Sequence, residues 1–388
     1  MQEALPTIIN AAGTLTRLSA GPLAPGVIEA MAAADGVSVD MAALQAHASG
    51  RIAAHTGAEA GMVSAGAAAG LMLAAAAAMA GLDVARMNRL PATDGRDEII
   101  VARSHRNGYD HALRAAGARF VEVGLPEPTA GSGVRDAEPW EYAAEIGPDT
   151  AAILYVASPR AAPDLPEVAR VAHDRQLPVI VDAAAELPPA ANLRRFIAEG
   201  ADLVVFSGGK VIGGPAGSGL LFGRRDLVMS AALQSLDMDV PLAEWSPPAG
   251  FIDKTLLSGL PRQGIGRACK TGKHEILGLL AALDHFVAEG DAARHARWLA
   301  LCERVERDIR GLAGVAVAIR GAGDTGRIPM VELRLAYADA AGRMRARLLG
   351  RDVPVHLARN PFAPDRLYVN PTCLREGEIP ALTEALKA

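Results

Sequence analysis

Lys210 closes the segment Val204-Val205-Phe206-Ser207-Gly208-Gly209-Lys210, where an apolar run ends in Ser-Gly-Gly-Lys. The apolar run before it, Val179-Ile180-Val181, ends in Asp182. A lysine amine so placed can form a Schiff base with an aldehyde. An aspartate one strand earlier can hold a protonated ring nitrogen. Together they suit pyridoxal 5'-phosphate (PLP), an electron-sink cofactor for amine chemistry. The plainer alternatives are an ordinary loop lysine and a strand-end acid that caps the next turn.

Four further groups extend this reading. Ser207 offers a hydroxyl to a phosphate, and Gly208 and Gly209 let backbone approach closely. Ser64-Ala65-Gly66-Ala67-Ala68 precedes an apolar helical run, so its N–H groups and the helix dipole make an anion site. That motif also reads simply as a helix packed closely on a sheet. His105, in Arg103-Ser104-His105-Arg106-Asn107, follows a strand and can stack on a ring or handle protons, or can be structural. Arg267, with Lys270 and Lys273, gathers cations that could meet a substrate carboxylate or phosphate, or form a charged helix start. Cys269, between them, reads as packing rather than as a nucleophile.

Rival motifs fail. Val204 stands where a P-loop ending in Gly209-Lys210 needs its first glycine, and Arg267 does the same for Gly272-Lys273. Gly264-Ile265-Gly266 lacks the third glycine of a dinucleotide fingerprint. No histidine pair has zincin spacing and the three cysteines are widely separated, so neither a metal site nor a disulfide framework is expected.

Short apolar runs alternating with helical ones must position these residues. Strands are expected at 61–65, 98–102, 119–123, 151–157, 178–182, 203–207 and 219–222. Helices are expected at 42–55, 66–80, 108–116, 165–175 and 193–199. Residues 125–139 read as a surface loop. The alternation implies an α/β fold with a mostly parallel sheet covered on both faces, and ligands then collect at the C-terminal strand ends. Asp182 and Ser207 fall at such ends. A helix over 274–289 bridges to a smaller α+β part with strands near 315–320, 329–335, 353–357 and 366–369. The expected divisions are an N-terminal arm over 1–35, a large cofactor-binding domain over 36–262, and a bridge helix with a small C-terminal domain over 263–388.

Composition sets the limits. Of 388 residues, half are hydrophobic and 21% are charged, which describes a packed globular chain. The net charge of −5 is interspersed, so neither nucleic acid nor a membrane surface is called for as a partner. The apolar run at 65–80 is too short and too glycine-broken to span a bilayer. Without a basic and apolar leader at the start, a cytoplasmic location is expected.

At this point the chain resembles the SelA-like group of fold-type I PLP enzymes. The motifs that carry this are Asn10-Ala11-Ala12-Gly13-Thr14, Thr56-Gly57-Ala58-Glu59-Ala60, Ser104-His105-Arg106-Asn107, Val181 to Pro189, Ser207 to Lys210, and Gly266 to Lys273. They cover residues 7 to 280 in the family's order. Among its branches the match is to the D-glucosaminate-6-phosphate ammonia-lyases.

The resemblance implies a seven-stranded-type sheet with a small C-terminal domain. It implies Lys210 as the Schiff-base lysine, Asp182 on the pyridine nitrogen, His105 over the ring, and Gly66, Ala67 and Ser207 at the phosphate. It also implies a homodimer or a larger assembly of dimers. One departure stands out: relatives tend to carry Gly-Pro-Gln after the lysine, whereas this chain has Gly214-Pro215-Ala216. The expected activity is a PLP-dependent lyase on a small amino substrate, an amino acid or amino-sugar acid, that releases a 2-oxo acid and ammonia. A racemase or an aldolase on the same scaffold, or a non-catalytic ligand-binding protein of this fold, are the alternatives.

Overall fold

The computed structural model describes residues 5–125 and 136–388. Its strands are β1 (Ile9–Ala11), β2 (Ala60–Ser64), β3 (Glu98–Ala102), β4 (Arg119–Val123), β5 (Thr150–Val156), β6 (Val179–Asp182), β7 (Leu203–Ser207), β8 (Gly219–Gly223), β9 (Val315–Arg320), β10 (Met330–Leu335), β11 (Val355–Arg359) and β12 (Arg366–Val369). Seven form one sheet in the order β2-β8-β7-β6-β5-β3-β4, and five form a second in the order β1-β11-β12-β10-β9.

In the large sheet only β8 runs antiparallel to its neighbours. The other six therefore end on one edge. The interiors of the inner strands β3, β5, β6 and β7 are mainly Val, Ile, Leu and Ala buried on both faces, as a parallel sheet sandwiched between helices requires, while the edge strand β4 leaves Glu122 exposed. One apolar layer includes Ile100, Val181 and Phe206. The other includes Ile99, Ile180, Val205 and the helix Ala67–Ala80.

That helix explains the chain's alanine content. From Ala69 to Ala80 every residue is buried, so it has no polar face. It sits so close to the sheet that a Cβ on Gly70 would stand 3.0 Å from a Val205 methyl. Small side chains permit this approach.

The expected strands and helices appear with ends shifted by a residue or two. Asp40 caps the helix Met41–Thr56 by accepting from the Ala43 amide at 2.7 Å. Most of the expected loop over 125–139 lies outside the described residues, but Pro139 opens a helix, Pro139–Glu145, instead of ending a loop. The helix Arg225–Ser235 has no counterpart in the sequence reading. Nine of its residues are buried, so it lacks the one-sided apolar stripe that marks a helix in sequence. The bridge helix runs on from Lys273 to Asp308 with a break at Gly290, whose φ of 70° leaves the helical region. β1 pairs in parallel with β11, so the N-terminal arm completes the C-terminal sheet. Among the described residues no helix is long and apolar enough to cross a membrane.

The tightness of the alanine helix yields a test. Ala76 is fully buried against this layer. Ala76→Leu should therefore overpack it and lower stability by about 1–3 kcal/mol, read from the urea midpoint.

Candidate active site

The site is a row across the sheet's C-terminal edge. Ser64, at the end of β2, pairs with Gly219 of β8, and Gly219 pairs with Ser207 at the end of β7. Asp182, at the end of β6, pairs with Val205 on one side and Val156 on the other. His105 follows β3 in the short turn Arg103–His105 and reaches Val156. Five expected site residues thus converge: Ser64, His105, Asp182, Ser207 and, three positions beyond β7, Lys210.

The Lys210 turn is a knot of close backbone. The Gly208 amide donates to the Ser218 carbonyl at 2.8 Å, and the Gly214 amide donates to the Gly208 carbonyl at 2.9 Å. A Cβ on Gly208 would lie 2.4 Å from Ser218 Oγ, and one on Gly209 would lie 2.6 Å from Ala216 Cα. Both positions demand glycine. The N-terminal arm lies against the same turn. The Gly21 amide donates to the Gly209 carbonyl and the Ala24 amide to the Gly213 carbonyl, each at 2.8 Å.

The helix start forms the other wall. Gly66 caps the Ala67–Ala80 helix at φ 94°, a conformation that favours glycine. A Cβ on Gly219 would lie 2.6 Å from the Gly66 carbonyl carbon and 2.8 Å from the Ala67 nitrogen. Backbone alone therefore separates β8 from the helix start at Gly66 and Ala67. The Ser64 hydroxyl donates to the Gly66 carbonyl at 3.0 Å, so it fixes the chain's entry into the helix.

Burial sets the electrostatics. Asp182 is 8% exposed, and burial raises its carboxyl above the usual range; the Ala184 amide, donating at 3.0 Å, and the charge of Lys210 offset only part of this. Burial likewise lowers the Lys210 ammonium, against the pull of Asp182 and Glu186. For both partners desolvation outweighs attraction, so each is nearer its neutral form than in water. Glu186, four residues past Asp182, is also raised by burial and shares the field of Lys210 and Asp182. The motif containing it was visible in the sequence, but no role for it was. An acid so close in sequence to Asp182 was the signal.

His105 is neutral and its tautomer is set. Its Nδ1 accepts from the Val156 amide at 3.3 Å, so the proton sits on Nε2. Burial lowers its pKa. The ring meets Tyr155 edge-on at 4.9 Å. Its Nε2 is buried without a hydrogen-bond partner among the described residues. An orphan donor of this kind costs about 1–3 kcal/mol unless a ligand accepts from it.

Arg267 lies elsewhere. It pairs with Asp237 at 3.3 Å and lines a cavity of about 700 Å³ with Gln45, Ala216, Lys270 and Thr271. That cavity reaches the Lys210 turn through Pro215, Ala216 and Gly217. Ala216 and Thr271 both line this cavity, and the Thr271 hydroxyl is buried without a partner among the described residues.

Comparison with known proteins gives this geometry its context. The profile of the family described as SelA, L-seryl-tRNA selenium transferase, matches residues 35–239. The chain belongs to the SelA family. It is 29% identical over 409 aligned residues to the D-glucosaminate-6-phosphate ammonia lyase of Salmonella typhimurium, covering 100% of this chain and 96% of that one. It is 33% identical over 352 residues to the 5'-C-glycyluridine monooxygenase-decarboxylase of a Streptomyces species, covering 88% of this chain and 78% of that one. The solved structure of D-glucosaminate-6-phosphate ammonia-lyase superposes with a TM-score of 0.78 at 27% identity, over 99% of this chain and 95% of that one.

SelA family members are PLP-dependent enzymes of fold type I, with the seven-stranded, mostly parallel sheet and small mixed C-terminal sheet described above. The similarity also runs past residue 280, where the sequence motifs fade, to the C-terminal sheet.

A stability prediction follows from the raised Asp182 carboxyl. In cofactor-free protein its pKa is higher folded than unfolded, so its contribution is fully present below the unfolded value of 3.8 and is lost as pH rises through the folded value. Asp182→Asn keeps the acceptor for the Ala184 amide but carries no charge. The cofactor-free variant should therefore exceed wild type in urea midpoint at neutral pH, and the gap should close as pH falls toward 4.

Proposed function

We propose that the chain is a PLP-dependent lyase acting on an amino acid or amino-sugar acid, with abstraction of the α-proton, loss of a β-substituent and release of a 2-oxo acid and ammonia. The observation that carries the reading is the convergence of Lys210, Asp182 and His105 on one strand edge, beside a helix start stripped of side chains. The residues fit the cofactor. The orphan His105 Nε2–H needs an acceptor, the buried Asp182 needs a cation, and the Gly66–Ala67 backbone leaves room for an anion. When bound, PLP supplies an electron sink for the carbon that bears the substrate amine.

The residues divide the remaining work. Lys210 would hold the cofactor and, as a free amine, would move the proton from the substrate's α-carbon; its burial favours the neutral amine that both tasks need. Asp182 holds the ring nitrogen's proton. Neutral His105 donates from Nε2. Gly66, Ala67 and Ser207 receive the phosphate, with Ser64 fixing the helix entry. Arg267 stands in the neighbouring cavity, paired with Asp237, and we propose that it meets the substrate's acidic group only from there, where that cavity reaches Pro215, Ala216 and Gly217. We further propose a homodimer or a larger assembly of dimers as the working form, supported by the family resemblance.

The Streptomyces relative supports a second reading, oxidative decarboxylation, in which a carboxyl group is lost and dioxygen is consumed.

Purified protein should take up PLP and absorb at about 420 nm, and Lys210→Ala should abolish the band and lower turnover by at least about a thousandfold. A colourless wild type that refuses PLP would leave only a non-catalytic role. Holoenzyme offered D- and L-amino acids and phosphorylated amino-sugar acids should release 2-oxo acid and ammonia without consuming dioxygen. Carbon dioxide with dioxygen uptake would select the second reading, α-deuterium exchange without oxo acid would select racemisation, and an aldehyde product would select aldol cleavage.

A further inference from the structure

Away from the strand-end row, a notch of about 280 Å³ opens where the N-terminal arm, the helix Ala338–Leu349 and β11 meet. Arg17, Arg345, Arg359 and His356 line it, one from the arm, one from the helix and two from the strand. No Asp or Glu is among its lining residues. Among the described residues, none of the three arginines is paired with a carboxylate, although most other arginines here are. Burial lowers the pKa of His356, and the positive charge of Arg17 and Arg345, which line the same notch, lowers it further. In a chain of net charge −5, three uncompensated arginines in one concavity are a local exception.

The notch is built. The arm loop that carries Arg17 is pinned by Asn10, whose Nδ2 donates to the Gly13 and Leu18 carbonyls at 3.2 Å and whose Oδ1 accepts from the Ala12 amide at 3.1 Å. Asn10 pairs with His356 in the β1–β11 ladder, so the loop and the strand are held in register. Beyond Arg17 the chain turns through Ser19 and Ala20 at φ of 72° and 62°, left-handed backbone that non-glycine residues seldom adopt. It emerges at Gly21, whose amide bonds to the Gly209 carbonyl next to Lys210. One rigid segment thus touches the notch at one end and the Lys210 turn at the other.

We propose that this notch is a binding site, separate from the strand-end row, for the phosphoryl group of a small phosphorylated metabolite, and that its occupancy clamps the arm which supports the Lys210 turn. Three guanidinium groups, on exposed side chains without a carboxylate partner among the described residues, match a doubly charged phosphoryl with three acceptor oxygens; a carboxylate would satisfy one guanidinium and leave the others unpaired. The volume exceeds what bare phosphate fills and lies just below the range of small-molecule sites, roughly 300–1,000 Å³.

The probe is inorganic phosphate, titrated calorimetrically into PLP-loaded holoenzyme so that the cofactor's own phosphate site is filled. Wild type should bind one phosphate per chain, and succinate at equal concentration should not displace it. Arg345→Glu and Arg359→Gln should each weaken binding roughly tenfold to a hundredfold, with Arg345→Lys in between. Phosphate should also slow tryptic cleavage after Arg17 in wild type but not in Arg345→Glu. Unchanged affinity in both Arg345→Glu and Arg359→Gln, or equal displacement by succinate, would overturn the site. Competition between phosphate and the amino substrate would overturn its separateness, and phosphate-insensitive cleavage after Arg17 would overturn the clamp.

Discussion

Between the Lys210 turn and the backbone around it there is no room for a side chain. Gly208 and Gly209 are pressed against Ser218 and Ala216, Gly21 against the Lys210 carbonyl, and Gly219 against the helix start at Gly66 and Ala67. Three stretches distant in sequence, around Gly21, around Gly66 and from Gly208 to Gly219, meet there mostly through main chain, with the Ser218 hydroxyl and a Leu279 methyl also pressed against Gly208. Lys210 is carried on that packed turn, and a Cβ built at the Gly66 helix start would meet no atom within 4 Å among the described residues. The alanine helix behind it serves the same end, since bulkier side chains would lift the Gly66 end away from β8.

Electrostatics follow from the same closeness. Asp182, Glu186 and Lys210 are all shifted toward their neutral forms by burial, which is nearly complete for Asp182 and partial for the other two. A buried acid and a buried amine that each favour neutrality are costly for the bare protein. They become useful when a cationic ring nitrogen and an electrophilic carbon are supplied. His105 shows the same imbalance in hydrogen bonding, with one nitrogen satisfied by the Val156 amide and the other left without a partner.

Much of this was legible along the chain. The inner parallel strands are short apolar runs, and Asp182, Ser207 and the Gly66 helix start stand at or just past strand ends. That pattern is local, so it survives without a structure. Elements without a local pattern were not legible. The helix Arg225–Ser235 is buried nearly all round and shows no apolar stripe. The role of the arm was hidden because β1 finds its partner β11 more than 340 positions away. Glu186 was visible as a second acid close to Asp182, but its role was not, since that depends on burial and on the charge of Lys210, distant in sequence.

The sequence by itself determined the chemistry on offer: a lysine after Ser-Gly-Gly, an aspartate one strand before, a histidine after another strand, and the alternation that builds a parallel sheet. These are covalent facts about residue type and spacing. Only the tertiary structure decided which groups share one environment. It brought Glu186 toward Lys210, turned the Ser64 hydroxyl onto Gly66, set Arg267 in a separate cavity, and gathered Arg17, Arg345 and Arg359 around one notch. Burial and charge fields act through space, and distance through space is set by the packing of the whole chain.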